Sequence, residues 1–313
     1  MKEPSVSEAN SKRDDYHVPV LLKEVLEHLC IQPDGIYVDC TFGGGGHSKA
    51  ILQQLNTNGR LVAFDQDDDA RRNLPDDPRV LFLPHNFRHM KRFLQLHGIK
   101  EADGLLADLG VSSHQFDEAE RGFSTRFDAA LDMRMDQRQE KTASAVVGSY
   151  SEQQLHKIFE QYGEVTNSKT LARKIVEVRK TTQLDSVESF KNALRPIVKG
   201  NPNKYFAQVF QALRIEVNEE LDALKEMLMQ IPQVLKSGGR AAIITFHSLE
   251  DRLVKVFFRD ERFEAVTEDP FSITGETQKS LKAVNKKPIE PAEDEVRRNP
   301  RSRSAKLRVV EKI

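Results

Sequence analysis

Short apolar runs alternate with helical patterns along the first 110 residues, and this alternation limits the chain to few folds. The runs are rich in β-branched and aromatic residues, as strands are. The predicted strands are 36–41, 60–64, 80–83, 104–107 and, much later, 241–246. The predicted helices around the first four are 20–29, 48–55 and 90–96. Strands that alternate with helices imply a parallel sheet covered on both faces, so we predict an α/β fold.

The alternation stops between Asp108 and Ala241, where only helical patterns recur. Those patterns cover 152–162, 170–180, 187–198 and 206–230. A connection of this length is too long for a loop in a compact domain, which indicates a helical insertion after the fourth strand. Two strand-like runs near the end, 263–267 and 306–310, predict an antiparallel edge pair.

These patterns divide the chain into three parts. The predicted parts are a mobile tail at 1–15, a Rossmann-like domain at 16–115 and 206–313, and an all-helical insertion at 116–205.

Composition excludes several classes of protein. With 38% hydrophobic and 30% charged residues, the chain resembles ordinary globular proteins. It has neither the roughly 18 consecutive apolar residues of a membrane span nor the apolar core of a signal peptide, so we expect a cytoplasmic protein without membrane contact. Its two cysteines, Cys30 and Cys40, provide neither a disulfide framework nor zinc ligands, and we expect no metal.

The strongest local motif is Val-Asp-Cys-Thr-Phe-Gly-Gly-Gly-Gly-His-Ser at 38–48, where a predicted strand meets a predicted helix. Glycines at such a junction let the backbone approach a ligand and adopt positive φ. The dinucleotide pattern G-x-G-x-x-G fails, because Ser48 or Lys49 takes the third glycine position, and no Gly-Lys-Ser/Thr completes a Walker loop. These failures favour S-adenosylmethionine over nicotinamide cofactors or nucleoside triphosphates.

Acidic residues end two other strands. Asp65 closes the second strand about 20 residues after the glycines, the spacing at which a carboxylate accepts hydrogen bonds from ribose hydroxyls. The neighbouring Asp67, Asp68 and Asp69 are typical of solvated or helix-capping residues. Asp108 ends the fourth strand and is expected to face the same cleft, although an exposed capping role stays open.

Three further side chains are candidates for the cleft. Phe87 follows the third strand and would either stack on an adenine or belong to the core. His247 follows the fifth strand and would contact substrate or phosphate; alternatively, it is structural and Ser248 caps the next helix. Cys40 is interpreted as a buried structural thiol rather than a nucleophile.

Eight segments together resemble the bacterial 16S ribosomal RNA (cytosine-N(4))-methyltransferase family, called RsmH or MraW. They are TFGGGGHS, AFDQD, DLGVSS, ERGFS, LDMRMD, FQALRIEVNEEL, GGRAAIITFHSLEDR and NPRSRSAKLR. The resemblance runs from about His17 to the end of the chain. The chain differs at residues 124–130, which lack the Gly-Pro usual before LDMRM.

The resemblance implies methyl transfer from S-adenosylmethionine to the exocyclic amine of a cytidine in the decoding centre of the small ribosomal subunit. It also implies a helical insertion after the fourth strand and 16S rRNA as partner, and it leaves a homodimer open. The matching cofactor positions are Gly45, Gly46, His47, Asp65, Phe87, Asp108 and Gln115, of which His47 and Gln115 come from the resemblance alone.

A cytosine amine is a weak nucleophile, and a group that accepts its proton would assist the transfer. We take Asp108 as the first candidate for this group and His247 as the second. Basic side chains of the insertion and the arginine-rich C-terminal segment would bind flanking phosphates or would simply be solvated; in the insertion they are Lys169, Arg173, Lys174, Arg179 and Lys180. The alternatives are a nicotinamide-dependent oxidoreductase and a non-catalytic RNA-binding assembly factor.

Overall fold

The computed structural model describes residues 19–263 and 279–313, which form one seven-stranded sheet with helices around it. The strands are β1 (Ile36–Asp39), β2 (Arg60–Phe64), β3 (Val80–Leu83), β4 (Ala102–Asp108), β5 (Leu235–Thr245), β6 (Leu281–Ala283) and β7 (Lys306–Lys312). Their order in the sheet is β3-β2-β1-β4-β5-β7-β6. Strands β1 to β5 are parallel, which confirms the predicted α/β class, and β7 lies antiparallel between β5 and β6.

Two strands begin earlier than their sequence patterns indicate. β4 starts at Ala102 and β5 at Leu235, and these two residues pair across a register shift. The first residues of β5, Leu-Lys-Ser-Gly-Gly, carry no alternation of apolar and polar side chains. Pairing with a neighbouring strand therefore extends β5 beyond what local propensity supports.

The C-terminal edge differs in part from the prediction. The run at 306–310 is confirmed as β7, but its antiparallel edge partner is β6, which is three residues long. So short a strand gives no periodic signal. Of the predicted strand 263–267, all residues after Phe263 lie outside the described part of the chain.

The first three helices are α1 (Leu22–Leu29), α2 (Gly46–Leu52) and α3 (Met90–Leu96). Between β4 and β5 lie α4 (Ser113–Asp117), α5 (Ala143–Ser149), α6 (Glu152–Gln161), α7 (Ser168–Val178), α8 (Val187–Leu194), α9 (Pro202–Asn218) and α10 (Glu220–Val234). After β5 come α11 (Ser248–Asp260) and α12 (Glu293–Arg298). The predicted group of helices after the fourth strand is thus confirmed.

The helix predicted over 206–230 is in fact two helices, α9 and α10. Glu219 separates them with a φ of 51°, in the left-handed region that interrupts a helix. The side chain of Asn218 stabilises the break, because it donates to the Met133 carbonyl at 2.8 Å and accepts from the Met135 N–H at 2.7 Å. Both partners are more than 80 residues away, so a local pattern could not reveal the break.

Alternate residues of the central strands face opposite sides of the sheet. Val38 and Leu105 pack on one side, in a core that includes residues of α3, α10 and α11. Tyr37 and Leu106 pack on the other side, with residues of α1 and α2.

A separate apolar cluster joins helices α5 to α9. Helix α9 packs in this cluster, whereas α10 packs against the sheet. The domain limits themselves stay a prediction. Across the described residues, no helix combines the length and the apolar character needed to cross a membrane.

Candidate functional site

A cavity of about 490 Å³ opens at the carboxyl ends of the parallel strands. Its lining includes residues that follow β1, β2, β4 and β5. The sheet order places β2 and β4 on opposite sides of β1, and such a switch point is where open α/β sheets bind ligands. The volume is in the range of sites for small molecules and cofactors.

The four glycines form the turn from β1 to α2. Gly43 and Gly45 have φ values of 49° and 73°, which confirms that the turn uses the left-handed region. A Cβ atom on Gly44 would meet nothing within 4 Å, so the backbone there faces open space. A Cβ on Gly46 would instead lie 2.4 Å from Cγ of Pro19, so that glycine also permits close packing. Gly43, Gly44 and Gly46 line the cavity, and Gly45 closes the turn.

Asp65 directly follows β2 and lines the cavity. Its carboxylate accepts the N–H of Gly43 at 2.7 Å and the N–H of Asp67 at 2.8 Å, which ties the glycine turn to β2. Burial raises its pKa to about 7 despite these hydrogen bonds. Each carboxylate oxygen can accept a second hydrogen bond, so Asp65 keeps capacity for a ligand.

Asp67 is buried, unlike a solvated surface acid. It does cap the following 3₁₀ turn, since it accepts the N–H of Asp69 at 3.1 Å. Its Oδ2 also accepts from Nε2 of Gln115 and from Nη2 of Arg121, each at 2.8 Å. Gln115 lines the cavity, and its Oε1 accepts the N–H of Ser112 at 3.1 Å. Gln115 is therefore held in place at both ends of its amide.

Asp108 and His47 face each other across the cavity floor, with Asp108 Oδ2 and His47 Nδ1 3.7 Å apart. Nε2 of His47 lies 3.0 Å from the Val20 carbonyl, to which it donates. Oδ1 of Asp108 is buried and accepts no hydrogen bond from the described residues. Burial, with added repulsion from Asp39 and Glu250, raises the pKa of Asp108 to about 8.

His247 also lines the cavity, where it caps α11. Nδ1 accepts the Glu250 N–H at 3.5 Å, and Nε2 lies 3.3 Å from Oε1 of the same residue. The cap is His247, and Ser248 is exposed, so the alternative is wrong about the capping residue, whereas its structural role for His247 agrees with the cap. Burial alone would raise the pKa of Glu250, but His247 and the Phe246 N–H lower it below its usual range.

The sequence does not predict the ion pair between Arg214 and Glu220. Nε of Arg214 donates to Oε1 of Glu220 at 2.8 Å, and Nη2 donates to Oε2 at 2.9 Å. Both residues line the cavity beside His247 and Glu250. The ligand atoms of Glu220, His247 and Glu250 lie within 4.8 Å of one another, but Arg214 already supplies the neighbouring cation. The one sequence signal for this ion pair is that Arg214 is a charged residue within the apolar pattern of α9.

Phe87 is half-buried; it lines the cavity and also packs against the core, so its two interpretations are compatible. Cys40 is 2% exposed and its Sγ lies 3.8 Å from Sδ of Met90. Burial raises the pKa of this thiol well above its usual value, which supports a structural role.

The basic residues of the insertion differ in their surroundings. Lys169, Arg173 and Lys180 are exposed. Lys174 pairs with Glu177, and Arg179 donates to backbone carbonyls.

Several arginines of the C-terminal segment form ion pairs with nearby acids. Arg301 reaches Asp117 of α4. Two exposed arginines, Arg126 and Arg301, are among the residues that line the cavity. Arg126 is not among the residues that the sequence predicts for the site.

The raised pKa values of Asp65 and Asp108 predict how stability depends on pH. From about pH 4 to about pH 8 the folded chain holds protons that the unfolded chain releases, so the stabilisation is complete below the unfolded pKa and is lost as pH rises through the folded values. We expect Asp108→Asn to flatten this decline by up to about 1.4 kcal/mol per pH unit. Urea denaturation between about pH 5 and pH 8 measures the free energy of unfolding of both proteins. If that free energy falls equally steeply with pH in wild type and in Asp108→Asn, the raised pKa of Asp108 is contradicted.

The strand order, the glycine turn after β1 and the carboxylate at the end of β2 place the chain in the class of Rossmann-like α/β proteins. Within that class the chain belongs to the MraW methylase family, whose sequence model matches residues 14–313.

Curated relatives support this membership. Ribosomal RNA small subunit methyltransferase H of Bacteroides fragilis is 52% identical over 298 residues, which cover 95% of this chain and 97% of that protein. The protein of the same name from Cytophaga hutchinsonii is 53% identical over 300 residues, which cover 95% of this chain and 99% of that protein. Among solved structures, an rRNA methylase from Streptococcus thermophilus is a distant match, with a TM-score of 0.41 and 11% identity. The match covers 95% of this chain and 99% of that one.

Proposed function

We propose that this protein methylates the exocyclic N4 amine of a cytidine in the decoding centre (P-site) of 16S rRNA, with S-adenosylmethionine as methyl donor, in the cytoplasm. Family membership and relatives named for small-subunit ribosomal RNA support the reaction class. The choice of cytidine N4 and of the decoding centre rests on the motif resemblance. The observation that carries the proposal is the cavity itself, where the glycine turn, Asp65 and Asp108 meet.

The cavity residues fit a nucleoside with a sulfonium centre. Six of the seven proposed cofactor positions line it: Gly46, His47, Asp65, Phe87, Asp108 and Gln115. Gly45 supports the turn from its left-handed conformation. Gly44 leaves open space at the backbone, as expected where a ligand approaches closely. The buried Oδ1 of Asp108 lacks a hydrogen-bond partner among the described residues.

S-adenosylmethionine supplies a methyl group that is already activated on a positively charged sulfur. In the transfer, the carbon–sulfur bond breaks as the carbon–nitrogen bond forms, and the amine nitrogen loses one proton. The task of this chain is therefore to orient the amine, exclude water and accept that proton.

The surroundings of the two candidate acceptors favour Asp108. Nδ1 of His247 accepts the Glu250 N–H, and Nε2 makes no hydrogen bond among the described residues but lies 3.3 Å from the Glu250 carboxylate. Asp108 instead lines the cavity, and its buried Oδ1 accepts no hydrogen bond from the described residues. A bound sulfonium would lower the pKa of Asp108, since a nearby positive charge favours the ionised carboxyl, and would prepare it to accept a proton.

For the RNA, we propose that the helical insertion at 116–205 contributes the substrate-binding side. A target base must leave its stack to enter a cavity of this kind. Arg126 and Arg301 are positioned at the cavity to contact flanking phosphates, and the exposed Lys169, Arg173 and Lys180 extend the basic surface.

Mass spectrometry of 16S rRNA from cells with and without this protein tests the proposal. We expect one methyl group to be absent from a decoding-centre cytidine in the deletion strain, and to return when the purified protein and S-adenosylmethionine are added to small subunits from that strain. Unchanged rRNA methylation would contradict the proposal. Loss of assembly without loss of methyl would favour the non-catalytic factor, and a thermal shift with a nicotinamide cofactor alone would favour the oxidoreductase.

A further inference from the structure

Arg121 is a buried cation outside the cavity lining that connects two segments of the chain that line the cavity. Its side chain is 9% exposed. Nη2 donates to Oδ2 of Asp67 at 2.8 Å, and Nη1 donates to Oδ2 of Asp69 at 3.0 Å. Nη2 also lies 3.0 Å from the carbonyl of Arg134 and 3.2 Å from that of Met135. One guanidinium therefore holds four acceptors from two distant segments.

The first of these segments is the wall that contains the proposed ribose ligand. Asp67 donates its N–H to Asp65, and its Oδ2 receives Gln115 together with Arg121. The same carboxylate oxygen thus fixes Gln115 at the cavity. With Asp67 buried beneath this wall, Arg121 is the cation that balances its charge.

The second segment, residues 134–135, also reaches the cavity and lies beside the first, since Nε2 of Gln66 is 3.3 Å from Sδ of Met135. Met135 lines the cavity, and its N–H donates to Oδ1 of Asn218 at 2.7 Å. Asn218 lies at the break between α9 and α10, directly before the segment that bears Glu220. Hydrogen bonds therefore continue from Asp65 through Arg121 to the helices that carry the other cavity residues.

We propose that Arg121 is a positioning residue for cofactor binding, which fastens Asp67 and Gln115 to residues 134–135. This inference rests on the proposed function, because it assigns the cofactor to this cavity. Arg121 acts through Asp67 and Gln115 and does not itself contact the ligand. A planar guanidinium can reach several acceptors in fixed directions, whereas a lysine ammonium is a single point of charge.

Calorimetric titration of S-adenosylmethionine into Arg121→Gln tests the proposal without requiring turnover. We expect the Kd to rise about 10- to 100-fold, because Asp67 and Gln115 lose their common anchor, and Arg121→Lys to recover part of the affinity. Circular dichroism verifies that each variant is folded. In steady-state assays, the KM for S-adenosylmethionine should rise by a larger factor than kcat falls.

Arg134→Gln is the matched control. Arg134 lies in the same region, but the hydrogen bonds of its side chain among the described residues go to Asp132 and to the carbonyls of Gln137 and Gln139, and none goes to a cavity residue named above. We expect its Kd to stay within about threefold of wild type. If Arg121 were only structural, Arg121→Gln would lower Tm and leave the Kd as unchanged as in the control.

Wild-type affinity in folded Arg121→Gln would overturn the inference. If that variant does not fold, Arg121→Lys decides by the same criterion: weaker binding supports the inference and wild-type affinity overturns it. Failure of the wild-type protein to bind S-adenosylmethionine would instead refute the proposed function, so the two failures are distinguishable.

Discussion

The substitution Asp65→Ala is expected to weaken S-adenosylmethionine binding by about 100-fold or more. Each hydrogen bond to a charged acceptor contributes about 1.5–3 kcal/mol, and Asp65 is proposed to accept from two ribose hydroxyls. The substitution also leaves the N–H groups of Gly43 and Asp67 without their acceptor, so the glycine turn loses its connection to β2. Ligand contact and turn geometry are therefore lost together.

Asp68→Ala is the matched control for this experiment. Asp68 belongs to the same acidic run, but its side chain is 57% exposed, and its ion pair among the described residues is with Arg71 at 3.8 Å. Calorimetry should show a Kd within about twofold of wild type for this variant. If Asp65→Ala also binds within a few-fold of wild type, Asp65 is not the ribose ligand.

The substitution Asp108→Asn is expected to lower the single-turnover methylation rate about 100-fold or more at saturating S-adenosylmethionine. Asparagine has nearly the same shape but cannot take the amine proton, and loss of a general base typically costs 10²–10⁴ in rate, to order of magnitude. Cofactor affinity should change by a smaller factor than the rate does. The wild-type rate should rise with pH as Asp108 ionises, whereas the rate of the variant should be nearly independent of pH.

His247→Asn separates the two candidate acceptors. Asparagine is a favoured helix cap, so this variant retains the start of α11 while it removes the imidazole. We expect its single-turnover rate to stay within about fivefold of wild type. A full rate in Asp108→Asn with a large loss in His247→Asn would transfer the proton-accepting role to His247.

Local sequence patterns could reveal the elements that build the site. Short apolar runs that alternate with helical patterns predicted β1, β2 and β3. The glycine run predicted a tight turn with positive φ before α2. The position of Asp65 at the end of β2 followed from the same pattern. Each of these features depends on neighbours in sequence, because side-chain periodicity and backbone conformation are local properties.

Features that depend on partners far along the chain could not be predicted in this way. Examples are the left-handed break at Glu219, which Asn218 stabilises through residues more than 80 positions away, and the contact of Arg121 with Asp67 across 54 positions. In the sequence, Asp67 resembles a solvated or capping acid, and only the fold shows it buried beside a guanidinium. Local composition indicates that a residue is polar, not which partner will neutralise it.

The sequence by itself therefore determined the α/β class, the glycine turn and the acids at the strand ends, since those follow from local periodicity. Tertiary structure alone decided which carboxylates are paired and which are not: Asp67 with Arg121, Glu220 with Arg214, and Asp108 with one oxygen uncommitted among the described residues. The physical reason is that the cost of burying a charge depends on the groups that surround it in space. Chain folding brings those groups together from positions that no local window contains.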